Sequence, residues 1–283
     1  AAQVLIPLAT MTVEPEKTGE IVGFLMSGLL VGILLSTSLA GLFSNLFHWK
    51  VIYIISGILM LILAYALKSR LPYVMRMKMN YGQIFVSMAE LLKQEKRLLL
   101  RALTGGFAFA AVSILYSTIA LLLTAAHHLP DLVIGMVSLV GIFGALSTQY
   151  IGRYADQGYT KQLTWMGCGL FTLSWICFYY GQTFLFSYIF GFALIQLALA
   201  LVHTSNQSII FRLRPDAKSR INAIYMTAYF TGGACGSALG IFSWNHGGWT
   251  MTCLAGISLV FACIFFSVLD NFLLKKNTAT DGY

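Results

Sequence analysis

The sequence has 283 residues, of which 58% are hydrophobic and only 10% charged. A soluble domain carries about 25% charged residues, so this balance excludes an ordinary water-soluble globule and indicates a membrane protein. The formal net charge of +8 would suggest nucleic acid on a soluble domain; here the basic residues lie between apolar runs, so no nucleic-acid partner is expected.

Taken in chain order, residues 1–13 are apolar but too short to cross a bilayer. They are read as the end of a helix that begins upstream, in an N-terminally truncated chain. A polar loop, "EPEKTGE", follows at 14–20. Crossing a bilayer takes roughly 20 mostly apolar residues. Charge-free runs of that order predict spans at about 21–43 and 51–67. Residues 71–101 form the one long polar segment. Within it Ile84, Phe85, Met88, Leu91 and Leu92 recur at helical spacing. That pattern suits an amphipathic helix on the membrane surface, and equally a partly ordered linker. Further spans are predicted at 102–125, 132–151, 162–181, 184–210, 221–243 and 249–269, the last two pairs divided at Gly181-Gln182-Thr183 and at Asn245-His246-Gly247-Gly248. The fold class expected is an all-α membrane protein with eight complete spans and one partial one.

If 14–20 faces the cytoplasm, then of the 18 Lys and Arg residues only Lys50 falls on the outer side. The positive-inside rule therefore orients the chain with its C-terminus cytoplasmic. The five cysteines lie within predicted spans with no C-x-x-C spacing, and are read as free thiols packed as small apolar groups. No metal site, cofactor or catalytic residue is expected, and nothing in the motifs supports an enzyme.

An internal repeat organises these spans. Without gaps, "PEKTGEIVGFLMSGLLVG" from Pro15 aligns with "PDAKSRINAIYMTAYFTG" from Pro215. Ile21 meets Ile221, Met26 meets Met226, Gly32 meets Gly232, Leu39 meets Leu239, Asn45 meets Asn245 and Trp49 meets Trp249. Both copies follow an inward-running span and precede an outward-running one, so the repeat is parallel.

Three stretches, "GFLMSGLLVGILL" (23–35), "LVIGMVSLVGIFGALSTQYIGRYADQG" (132–158) and "VHTSNQSIIFRLRPDAKSRINAIYMTAYFTGGACGSALG" (202–240), resemble bacterial permeases of the major facilitator superfamily, in a branch described as efflux permeases. The resemblance implies a two-fold pseudo-symmetric helical bundle in which this chain runs from the end of the fourth span to the twelfth. The implied division is 1–70 as the end of the N-terminal half, 71–101 as a cytoplasmic linker, 102–272 as the C-terminal half and 273–283 as a cytoplasmic tail. "GRYADQGYTK" (152–161) resembles the superfamily's G-x-x-x-D-R loop, with Gln157 where Arg is usual. The resemblance implies a conformational loop built on Gly152, Arg153 and Asp156, with Asp156 capping a helix or pairing with a cation across the bundle. Gly19, Gly28 and Gly32 partly match a glycine motif associated with antiporters, departing at Ile33 and Ser36-Thr37. From spacing alone, Gly28, Gly32, Gly232 and Gly236 are expected to let helices pack closely.

Polar residues inside spans are candidates for a substrate pathway: Tyr116, Gln196, His203, Asn206, Gln207, Asn222, Tyr225 and Tyr229. Each could equally be a helix-to-helix hydrogen bond with no substrate contact. Relatives often carry Asp where Gln196 stands, and no Asp or Glu is predicted mid-membrane in a complete span. The function expected is alternating-access transport of a small solute, most simply export, across a bacterial inner membrane, with protons as a further partner beside the lipid bilayer. The fragment alone is expected to be inactive. A channel-like or receptor-like membrane protein is the alternative.

Overall fold

The computed structural model describes residues 8–9, 13–14, 17–46, 50–70 and 81–280. Most of the partial span at 1–13, Pro15 and Trp49 of the repeat, and the linker at 71–80 lie outside them. Ten α-helices make up nearly all of the described chain, with no strand among the described residues. They are α1 (Thr18–Leu46), α2 (Lys50–Arg70), α3 (Tyr81–Gln94), α4 (Lys96–His127), α5 (Asp131–Leu139), α6 (Ile142–Leu146), α7 (Thr148–Tyr154), α8 (Thr160–Gly181), α9 (Leu185–Leu213) and α10 (Lys218–Thr280). A π-helical turn at Ala155–Tyr159 joins α7 to α8.

Five segments are long and apolar enough to cross a membrane. Two of these, Val133–Gly181 (49 residues) and Pro215–Leu274 (60 residues), are each more than twice the ~20 residues one crossing needs. Each therefore holds two crossings. With the shorter apolar stretch Thr18–Ile33, they account for the eight spans read from sequence. The chain is a multi-pass, all-α membrane protein.

Two predicted spans take a different form. The one at 132–151 is broken into α5, α6 and α7. Glycines at 141 and 144 are poor helix formers, and Gly144 lies against the backbone of α9 at Gln196 and Leu197. The Ser147 hydroxyl donates to the Phe143 carbonyl at 2.8 Å, a back-bond that bends helices. The predicted loop at 244–248 is a sharp kink inside α10, at Gly247 and Gly248. Gly248 has φ 61 and ψ −151, a region that is essentially glycine-only.

Helix α1 begins at Thr18 and α10 at Lys218, positions that the repeat aligns. Side chains of α4, α8, α9 and α10 form the main core, including Phe171, Trp175, Phe178, Tyr188, Phe192 and Phe211. The indole of Trp249 donates to the Phe178 carbonyl at 2.7 Å, fastening the kink of α10 to α8. At the same end, His127 Nε2 lies 2.8 Å from the Gly181 carbonyl oxygen, and His128 adopts a left-handed helix-end conformation, φ 52. Helix α3 is ordered: Leu91 is buried and Met88 and Leu92 pack on the core, while Phe85 and Val86 remain exposed. Helix α2 turns Tyr53, Leu61 and Tyr65 outward. Apolar surface of this extent needs lipid or other helices to cover it.

Candidate functional site

Helix α4 and the first arm of α10 approach closely. The contact is made by small residues at every fourth position: Gly232, Gly236 and Gly240 on α10. A Cβ added at Gly232 would collide with the backbone of Gly106, and one at Gly236 with that of Ala110. At Gly240 it would lie 2.6 Å from the Ser117 hydroxyl. Small-xxx-small faces allow such approach because no side chain intervenes.

Among the described residues Gly28 and Gly32 do not take part in a comparable contact: a Cβ at either meets none of their atoms within 4 Å. The close approach of α1 is made instead by Gly19 and Gly23 against α7. At ~100° per residue, Gly28 lies about half a turn around α1 from Gly19, so its spacing is right and its face is wrong.

Asp156 sits in the π-helical turn between α7 and α8 and reaches the first turn of α1. Its two carboxylate oxygens accept hydrogen bonds from the backbone N–H groups of Gly19 and Glu20, both at 2.9 Å. These are among the amides that a helix start leaves without an intrahelical partner, and the helix dipole favours a negative charge there. Arg212, at the end of α9, donates to Asp156 at 2.5 Å. Arg153 pairs with Glu20 at 2.9 Å. The Thr148 hydroxyl donates to the Gly23 carbonyl at 2.9 Å, one turn further along. Gly152 is needed where it stands, because a Cβ there would run into the carbonyl of Gly19.

The polar residues expected from sequence fall into two connected groups inside the bundle. In one, Gln196 of α9 donates through Nε2 to the Tyr116 hydroxyl of α4 at 2.7 Å. In the other, His203 Nδ1 lies 3.0 Å from the Tyr225 hydroxyl. The His203 ring also sits 4.5 Å from that of Tyr229, which stacks on Phe109 at 4.1 Å. Asn222 is buried on the same stripe of α10. Gln207 makes only a weak bond, from Nε2 to the Met226 sulfur at 3.7 Å. Several buried polar atoms here have no hydrogen-bond partner among the described residues: Gln196 Oε1, Gln207 Oε1, Thr204 Oγ1 and Ser205 Oγ. Buried polar groups are nearly always bonded to protein or to water, so this part of α9 is one that water or a polar solute can satisfy.

Sequence reasoning missed a third feature. Asp270, just past the predicted end of the last span at 269, is fully buried. The second arm of α10 continues to Thr280, well past the predicted end near 269. Asp270 is paired with Arg101, whose side chain is 2% exposed, and with Arg97 at 3.1 Å. Arg101 also donates to Asn206 Oδ1 at 3.1 Å and to the Thr164 hydroxyl at 3.3 Å. Helices α4, α8, α9 and α10 are thus tied at one point. The result is a polar chain, Asp270–Arg101–Asn206, at one end of the bundle, with the His203–Tyr225 pair as a separate contact. The signal was available: Arg101 and Asp270 are opposite charges flanking the first and last spans of the predicted C-terminal half. Periodicity cannot say that they meet.

The described chain is a polytopic helical bundle with polar groups in its interior, and comparison with known proteins gives the family. The model of the Major Facilitator Superfamily matches residues 1–234 and 101–282. The chain belongs to that superfamily. The uncharacterized transporter YgaY of Escherichia coli, in strains K12 and O157:H7, is 41% identical over 260 residues, covering 91% of this chain. The probable transporter SCO4007 of Streptomyces coelicolor is 25% identical over 264 residues, also covering 91%. The match spans 66% of the length of YgaY and 61% of that of SCO4007.

Proposed function

We propose that this chain forms part of an alternating-access permease that moves a small solute across a bacterial inner membrane, with export as its direction. The observation that carries the reading is Asp156. It binds the start of α1 from an element more than a hundred positions away in sequence, at the boundary between the two repeat-related parts of the chain. A clasp of charge-assisted bonds at one end of a bundle favours the state in which that end is closed. The positive-inside rule puts that end, with the C-terminus, in the cytoplasm. Residues 1–70 and 102–272 are assigned to the two halves, with 71–101 linking them.

In this reading the pathway is lined by Tyr116, Gln196, His203, Asn206, Gln207, Asn222, Tyr225 and Tyr229. Gln196 and Gln207 present their unpartnered oxygens to the solute or its water, and His203 with Tyr225 supplies a protonatable pair for coupling. Gly152, Arg153 and Asp156 form the clasp, and Gly232 and Gly236 hold α4 to α10 as one rigid unit. Relatives named as transporters support the transport reading.

The experiment is sided labelling of a Tyr116→Cys variant, in a background without the five native cysteines, by a membrane-impermeant maleimide. Asp156→Asn is expected to raise the labelling rate from the clasp side and lower it from the other. Rates that rise together, or that do not change, would contradict alternating access and favour a channel.

A further inference from the structure

Beside the clasp lies a cavity of about 230 Å³, which shares Arg212 with it. It is lined by Arg97, Gly158, Thr160, Ser208, Ile209 and Arg212, with Leu213 at its edge. The geometry points to this cavity as a binding site for a phosphate-type oxoanion.

Two guanidinium groups border it, and each is only partly engaged. Arg97 binds Asp270 through Nε, which leaves its terminal nitrogens available. Arg212 uses one terminal nitrogen on Asp156. A guanidinium carries five N–H donors in a planar fork that suits a phosphate or carboxylate. Arg97 is 28% exposed and Arg212 42%, so a ligand can reach both. The neighbouring carboxylates are Asp156 and Asp270; against Arg97, Arg101 and Arg212 they leave one positive charge in excess.

The third wall is the start of α8, a helix of 22 residues. Its N-cap residue, Tyr159, provides no side-chain hydrogen bond, and Thr160 is its first helical residue. The preceding Gly158 has φ 93, and among the described residues no atom lies within 4 Å of where a Cβ would stand. The dipole of a helix start favours an anion.

A separate observation indicates a ligand. Ser208 is completely buried in the wall of this cavity, and its hydroxyl has no hydrogen-bond partner among the described residues. A buried hydroxyl without a partner is costly unless something outside the described chain satisfies it. An oxoanion oxygen held by Arg97 and Arg212 would accept that hydrogen bond. Its source is either free phosphate or the phosphate of an anionic lipid headgroup, and the two share this chemistry.

The test is isothermal titration of the purified chain with inorganic phosphate at low ionic strength, with native mass spectrometry from nanodiscs of phosphatidylcholine with and without phosphatidic acid. One phosphate site is expected, weakened about tenfold or more by Arg97→Gln and about threefold by Ser208→Ala, with Arg97→Lys recovering part of the loss. Should Arg97→Gln fail to fold, Ser208→Ala and Thr160→Val provide the same comparison. Retention of phosphatidic acid that these substitutions abolish assigns the lipid as the source; phosphate binding without lipid retention assigns the soluble ion. Absence of both, or binding that none of the substitutions changes, overturns the site.

Discussion

Asp270 and Arg101 show how a single pair can tie four helices. Each is almost completely removed from solvent, and each would be costly there alone. The pair is stable because Arg97, Thr164 and Asn206 complete its hydrogen bonds. Asp270→Asn is therefore expected to leave Arg101 buried without a counter-charge and to destabilise the protein by about 3–5 kcal/mol. Replacing both residues by leucine should recover much of that loss, because a well-packed apolar pair is often as stable as a buried ion pair. Thermal unfolding in one detergent measures both. Asp270→Asn and the double leucine variant unfolding at the same temperature would count against the pair. This pair was not legible in the sequence, where Asp270 reads as a residue just beyond the last predicted span. Asp156 was marked by its loop motif, but its partners Gly19, Glu20 and Arg212 lie on other elements, and only packing brings them within reach. His203, Tyr225 and Tyr229 were read as polar positions of two spans; their direct contact depends on the rotation of α9 against α10, which no one-dimensional pattern records.

At the scale of helices, composition and charge gaps were enough to locate the spans, because a bilayer demands length and apolarity and little else. What they could not show was how each span is broken or turned. The predicted span 132–151 reads as one apolar run but folds as three short helices fitted against α1 and α9. The glycines separate in the same way. Gly28→Ala and Gly32→Ala, on an open face, are expected to change stability by less than about 1 kcal/mol. Gly236→Val would drive methyl groups into the backbone of α4 and cost about 1–3 kcal/mol or more. Equal shifts in unfolding temperature for Gly28→Ala and Gly236→Val would contradict the assigned faces. The kink of α10 is a second element-scale test. Gly248→Ala forces a Cβ into a backbone conformation closed to it, at a cost of about 1–3 kcal/mol. Gly169→Ala, in α8 where a Cβ meets nothing, should be neutral or stabilising in the same assay.

For the whole molecule, the repeat is the main organising fact, and it was visible before any coordinates. Aligned positions 18 and 218 begin helices. A bundle built from repeats that meet at a few charged contacts has a natural way to change shape: the contacts break and re-form while the repeats stay rigid. The clasp at Asp156 is placed for that, with Gly19 and Glu20 on one side and Arg212 on the other. The central claim is that this contact holds one end of the bundle closed. It is tested most directly by pulsed electron–electron resonance between spin labels at Lys17→Cys and Lys161→Cys, both exposed positions on opposite sides of the clasp. The account predicts one short, narrow distance distribution in a background without the five native cysteines, and a second, longer population once Asp156→Asn removes the carboxylate charge. A distribution that Asp156→Asn leaves unchanged would contradict it.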